Sequence, residues 1–457
     1  MLTHHKHLLL VFLSCITCLA LHAQLNFIVG DITISGNTRT KDYVVRRELP
    51  FKTGDTTDLA TLVKNFEVAR QQLINTKLFN EAIVAVKIFR GYIVDVSIDL
   101  KERWYLFPLP YLRPGDRNIS EWAKHDYALN RLNYGGKFTQ YNFSGRNDKL
   151  RLWLTTGYAK QVQLQYDQPY ADNHLKNGYK VGFSFTSNRE FTFATKNNQQ
   201  QFMDSLSPLK RYNAFAEYDY RPGLRTFHAL RMGYTRLEVD KRIADYNSNY
   251  YKDGVNKIDI PEISYTLNYY HVDYIQYPIK GWMGEVSVLK RGIHSYTNMW
   301  QYGLKYTLAV PLKQKFNFHW QVQGVIKTPY HQPYYNTQLL GYGDLYLRGL
   351  EKYVIDGAGT FVSRQTLRRQ LFSVNLSTHY SSPSFDVVPI RVYAKIYTDF
   401  GYAMNKTSPE NSLANKMLYS TGLGVDVVTF YDFVFRFEYS FNQLGQNGLF
   451  LHFRNEF

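Results

Sequence analysis

Cysteine is almost absent from this chain of 457 residues: the two it has, Cys15 and Cys18, both fall within the first 24. If that segment is removed, the mature protein has no disulfide and no thiolate metal ligand. Histidine offers no substitute, because His4, His5 and His7 sit in the same segment and the others are scattered without a metal-ligand spacing. No glycine-flanked serine stands in a strand-turn-helix setting, so nothing suggests a fused lipase domain. Asp240, Asp245, Asp253, Asp259 and Glu262 match no calcium loop and read as solvated loop or lumen residues. The expectation is a protein that is not an enzyme, with no cofactor and no metal.

Long apolar runs are missing too. Leu8 to Leu21 is mostly apolar but short for a spanning helix. It follows a polar, weakly basic start (His4, His5, Lys6, His7) and precedes a cleavage point at Ala23 and Gln24, so residues 1–23 read as a signal peptide. A retained anchor, or lipid attached at Cys15, fits so short a run less well. After Trp104 convincing amphipathic helices are absent as well.

What the chain has in abundance is aromatic side chains, 39 Tyr and 30 Phe, with a mean hydropathy that is nevertheless below zero. A transmembrane β-barrel reconciles the two, because each strand shows an apolar row to lipid and a polar row to an aqueous lumen. The net charge of +16 suits an anionic membrane surface or an ordinary solvated one. Nucleic acid is not an expected partner of an exported chain without a zinc-finger or RNA-binding motif.

Residues 26–103 have the texture of a small mixed domain. Ile28 to Ile34 reads as a strand, Thr40 as the cap of a helix from Lys41 towards Leu49, and Asp58 as the start of a second helix. On that helix Leu59, Leu62, Phe66, Ala69 and Leu73 recur every three or four residues. Ile83 to Phe89 and Ile93 to Leu100 complete a β-α-α-β-β order. From 104 to 457 the period is two. Trp300, Tyr302, Leu304, Tyr306 and Leu308 alternate with Gln301, Gly303, Lys305 and Thr307; Phe433, Phe435, Phe437, Tyr439 and Phe441 alternate with Val434, Arg436, Glu438 and Ser440. At roughly 22 residues per strand and connection, this length allows about 16 antiparallel strands. Because hydrocarbon tolerates no open edge, such a sheet closes into a barrel. A soluble sandwich or propeller would need two facing sheets or a blade repeat, and no repeat is visible.

One connection, around 330–360, is unusually long and holds Leu347-Arg348-Gly349-Leu350. If it folded inward, Arg348 would need a carboxylate or several acceptors; a solvated loop arginine is the other reading.

These residues carry a resemblance to the Omp85 superfamily of outer-membrane assembly and translocation proteins. Leu347-Arg348-Gly349-Leu350 resembles the motif at the tip of that family's sixth extracellular loop, and Ile396-Tyr397-Thr398-Asp399-Phe400-Gly401 its strand motif. Ile34 to Thr40, Arg47-Glu48-Leu49, Gly54-Asp55 and Leu78-Phe79 resemble one POTRA domain, and Asn142 to Asn147 is loosely similar to an early barrel segment. The resemblance covers nearly all of the mature chain. It implies a periplasmic POTRA domain, a 16-stranded barrel in the bacterial outer membrane, and a salt bridge between Arg348 and Asp399 that fixes the reentrant loop, with Gly401 in the strand motif. The chain departs from the family where an acidic residue often stands in the strand after the loop: Arg364, Arg368, Arg369 and Gln370 occupy that region, which leaves a second partner for Arg348 open.

The function implied is assembly or insertion of outer-membrane proteins through a weak seam between the first strand, near Trp104, Pro108 and Pro110, and the last, with Phe453 and Phe457. Proline cannot donate to a ladder, and an incompletely paired edge can template an incoming strand; prolines also occur at inert strand ends. A dedicated polypeptide translocation pore and a non-catalytic structural outer-membrane module are the alternatives. The expected partners are unfolded or nascent outer-membrane or secreted polypeptides and outer-membrane lipids, with accessory membrane or periplasmic proteins as further candidates.

Overall fold

The computed structural model describes residues 25–115, 122, 126–251, 255–293, 297–378, 387–405, 411–429, 431 and 433–454. The expected signal peptide and Phe457 therefore lie outside the described residues.

The small domain is built from β1 (Asn26–Ser35), α1 (Asp42–Arg47), β2 (Thr56–Asp58), α2 (Leu59–Asn75), β3 (Phe79–Arg90) and β4 (Ile93–Glu102). Its sheet has the order β2-β1-β4-β3, with β1 and β4 parallel. Asp58 caps α2 by accepting the Thr61 N–H at 2.9 Å. Leu62, Phe66, Ala69 and Leu73 of α2 are buried against Val94, Val96 and Ile98 of β4. Each large side chain so buried is worth about 1.5–3 kcal/mol, which is what holds a domain of this size on one helix stripe. Thr40 does not cap α1, as the sequence suggests; the N-cap is Lys41 and has no side-chain bond. The Thr40 hydroxyl is turned to Glu102 and Tyr105 instead, because those partners are brought next to it by β4 and the chain leading into the large sheet.

The large sheet has sixteen strands, from Leu106–Pro114 to Asn447–Arg454, each antiparallel to the next in sequence. Period two sets the register: Trp300, Tyr302 and Leu304 are exposed on the outside, and Lys305 on the same strand takes the opposite parity. No described helix is long and apolar enough to cross a membrane, so the crossing elements are strands. The sheet is a barrel rather than a flat layer, because residues far apart in strand order meet inside it. Tyr277, in the turn before Gly281–Arg291, donates to Asp426 at 2.8 Å and lies 4.9 Å from the Tyr393 ring. The turns at this end carry the small domain; the opposite end carries the long connection 329–358.

Candidate functional site

The long connection between Phe316–Thr328 and Gly359–Ser377 turns back into the barrel. Lys327 Nζ donates to the carbonyls of Asn336 at 2.7 Å and Gln338 at 2.6 Å, which holds the loop's root to the wall. Leu347 and Leu350 are buried in a cluster with Leu340, Ile355, Val362 and Leu418. Between them the loop presents Arg348, 7% exposed, to the wall.

Arg348 meets Asp399, which is fully buried on the strand Val387–Met404. Its Nε donates to Asp399 Oδ2 at 2.9 Å, its Nη2 to Oδ1, and its backbone N–H to Oδ2 at 3.1 Å. A two-pronged, charge-assisted contact of this kind fixes orientation as well as position. The guanidinium also lies 3.9 Å from the centre of the Tyr397 ring. In the strand after the loop the neighbour of Arg348 is neutral, Thr366 Oγ1 at 3.1 Å, and the second carboxylate is Glu438, 3.7 Å away. It comes from Val434–Asn442, outside the region where the family pattern directs attention.

Two glycines allow this approach. Gly349 has φ +81°, and a Cβ there would stand 2.8 Å from Ser440 Cβ; one on Gly401 would stand 2.6 Å from Leu347 Cδ1. The Gly349 carbonyl accepts from Asn442 at 2.7 Å. Around this contact the charges continue: Lys395 Nζ bonds Asp426 and, at 2.6 Å, Glu438. His452, on the last strand, places Nε2 3.3 Å from both Glu351 Oε1 of the loop and Glu438 Oε2, and its ring stacks on Tyr346. Glu438, Lys395, Asp426 and His452 escape a motif reading. Their polar parity marks them as lumen-facing, but which strands meet across the lumen is set by closure.

At the seam, Leu106–Pro114 pairs with Leu132–Tyr141, with Pro108 opposite Phe138 and Pro110 opposite Gly136. Asn447–Arg454 pairs with Val434–Asn442, with Phe453 opposite Phe435. Among the described residues no ladder joins the first strand to the last. Trp104 lies just ahead of the first strand rather than in it; its backbone N–H donates to Tyr431 Oη at 3.0 Å, and the Phe107 and Tyr431 rings are 5.3 Å apart.

The small domain docks on the barrel through its own motif residues. Glu48, buried, accepts from Arg221 Nη2 at 2.7 Å and from Tyr170 Oη at 2.8 Å, both in barrel turns. Arg47 donates to the carbonyls of Leu175, Arg221 and Gly223. Burial beside the Glu48 carboxylate pushes the Tyr170 hydroxyl above its ordinary range, and the same carboxylate raises Arg221 against the opposing effect of burial. Asn142, Phe143 and Gly145 form a second dock: Arg39 donates to the carbonyls of Asn142 and Phe143 at 2.7 and 2.6 Å, and the Lys41 N–H to that of Gly145 at 3.0 Å. Among the described residues no group of His, Cys, Asp and Glu could hold a metal.

The family model described as Omp85 superfamily domain matches residues 142–448, and the POTRA model, described as surface antigen variable number repeat, matches 27–103. No curated protein sequence matches the chain. Among solved structures, BamA from Haemophilus ducreyi lacking POTRA domains 1-3 is 16% identical over 93% of this chain and 84% of that one, with a TM-score of 0.50. CdiB from Acinetobacter baumannii is 13% identical over 93% and 73% (TM-score 0.48), and CdiB from Escherichia coli 11% over 95% and 90% (0.48).

Proposed function

The chain belongs to the Omp85 superfamily, with its barrel in the outer membrane and its POTRA domain in the periplasm, and on that premise we propose that it assembles or inserts outer-membrane proteins through the seam between its first and last strands. Its general role is polypeptide translocation or assembly at the outer membrane. The observation that carries the finer reading is the missing ladder between Leu106–Pro114 and Asn447–Arg454 among the described residues. An incompletely paired strand edge is costly at membrane depth, and an incoming strand satisfies it by adding to the edge. Below it the Tyr431 side chain is met by the Trp104 backbone N–H and the Phe107 ring.

Arg348 and Asp399 serve this mechanism as the fixed point of the loop. Glu438 joins the loop lock to the strand next to last, and His452 extends it to the last strand itself. The loop thus occupies the lumen and braces one side of the seam, which favours lateral insertion over passage of a chain through the lumen. Depletion of the protein, followed by a census of outer-membrane and surface proteins, tests the reading. General loss of barrels supports assembly; loss of one exported client with barrels intact supports a dedicated translocation pore instead.

A further inference from the structure

The strand Gly359–Ser377 outruns its neighbour. Its ladder to Phe316–Thr328 ends at Arg369, yet its ladder to Val387–Met404 continues to Ser377 opposite Val387. On the far side, Met417–Val428 leaves Val387–Met404 at Arg391. Beyond that level a two-stranded ribbon, Leu371–Ser377 against Val387–Ile390, continues without a further ladder among the described residues, past the periplasmic turn at 312–315 and the end of Met417–Val428.

A bulge between Gln370 and Phe372 resets its faces. Above the bulge Thr366 and Arg368 point inward, to Arg348 and Tyr277. Below it Phe372, Val374 and Leu376 stand opposite Val392, Ile390 and Val388, on the face that carries the exposed Ile396 and Phe400 higher up. The ribbon's outer face is therefore an apolar row, and its inner face carries Ser373, Asn375 and Ser377. Leu371, Phe372, Val374 and Leu376 are all exposed.

Both flanking ladders end at the level of the periplasmic turn at 312–315, and a fully open edge is costly in hydrocarbon, so this ribbon stands at or beyond the periplasmic boundary of the membrane. There its apolar row faces water. Edge strands are ordinarily protected by charge or proline; the opposite edge of the ribbon, Val387–Ile390, carries Pro389, whereas Gln370–Ser377 has neither proline nor charge. Unpaired main chain and an apolar row on one face ask for the same partner, an extended strand with alternating apolar side chains. A lipid satisfies the second need and not the first.

We propose that the edge Leu371–Ser377 is a receiving strand on the periplasmic side, which pairs main chain to main chain with an extended amphipathic segment of a polypeptide client before that segment reaches the seam. This rests on the client-handling reading above and adds a second place where the client is held. Selection is by alternation: the apolar side chains of the client stack beside Phe372, Val374 and Leu376, and the intervening ones meet Ser373 and Asn375 and are free in kind.

The test uses the full mature chain in lipid vesicles with one cysteine placed by Val374→Cys or Leu376→Cys. The probe is a urea-unfolded small outer-membrane barrel polypeptide with its own single cysteine moved residue by residue along one strand. On dilution and oxidation, mixed disulfides should form with every second probe position, and Leu376→Lys beside Val374→Cys should reduce them about tenfold. Adducts without that alternation, or adducts only between two copies of this chain, would overturn the proposal. Heat-modifiable migration shows whether each variant has folded, and Leu376→Lys, at the ribbon's tip, leaves the barrel ladders intact. A disulfide-locked seam separates the two readings: if locking stops insertion while the ribbon shows no alternating adducts, the ribbon proposal fails and the seam mechanism stands.

Discussion

His452, on the last strand of the barrel, lies 3.3 Å from Glu351 on the inward-folded loop, and it is equally close to Glu438 on the strand between. These contacts connect the inward-folded loop to the last strand. Arg348 is held by Asp399 and approached by Glu438, Glu438 is approached by His452, and His452 rides on the strand whose outer edge lacks a ladder among the described residues.

Replacing His452 by Ala removes the tie from the last strand to the loop while leaving its ladder to Val434–Asn442 intact. The contact is a close approach of ring nitrogen and carboxylate without hydrogen-bond geometry, of a kind that contributes about 0–1 kcal/mol, so the shift in opening is at most roughly fivefold. Backbone amides of residues 447–452 should exchange faster within that limit in H452A, with exchange at Arg348 and its neighbours little changed. Equal exchange in both proteins would show that the contact does not restrain the strand.

Asp399→Ala leaves the buried Arg348 guanidinium with Thr366, the Tyr397 ring and a carboxylate 3.7 Å away as its remaining side-chain partners. Breaking a buried pair from one side costs about 3–5 kcal/mol. The loop around 340–355 should become open to protease added from outside the cell, and the folded band should persist to a lower temperature than in the parent. Unchanged protection would remove the lock from the account.

Gly349→Ala acts by shape alone. The new methyl group would meet Ser440 at 2.8 Å from a backbone at φ +81°, so the tip must withdraw although both charges remain. The variant should show the protease sensitivity of D399A in weaker form. Ser440→Gly in the same chain should restore part of the protection, since it removes the atom in the way.

Glu48→Gln tests the domain dock. Arg221 loses its buried carboxylate, and Arg47 keeps its three carbonyls. Spin labels on the exposed POTRA face at Val63 and on a periplasmic barrel turn should give a broader distance distribution than in the parent. An unchanged distribution would mean that the dock at Asn142, Phe143 and Gly145 suffices to orient the domain.

Much of this was legible in the residues. The alternation of Trp300, Tyr302 and Leu304 with polar neighbours defines a membrane strand, and the stripe Leu62, Phe66, Ala69 and Leu73 defines the helix that closes the small domain. The motifs around Arg348 and Asp399 single out two residues that the fold brings together. Other features depend on what the chain does in three dimensions. Thr40 looks like a cap because its type and place are right, but Glu102 and Tyr105 compete for its hydroxyl. Glu438 and His452 show only a lumen-facing parity; their meeting requires the barrel to curl and the loop to turn inward. The small strand Thr56–Asp58 is too short to carry a period.

The central claim is that the seam between first and last strands does the work. The mature chain, freed of Cys15 and Cys18, takes one cysteine on the first strand at Leu109 or Tyr111 and one on the last at Leu449 or Leu451, scanned for the pair that oxidises. The account predicts that the oxidised form fails to insert an unfolded barrel client into vesicles and that reductant restores insertion. Insertion at the same rate in the oxidised and reduced forms would contradict it.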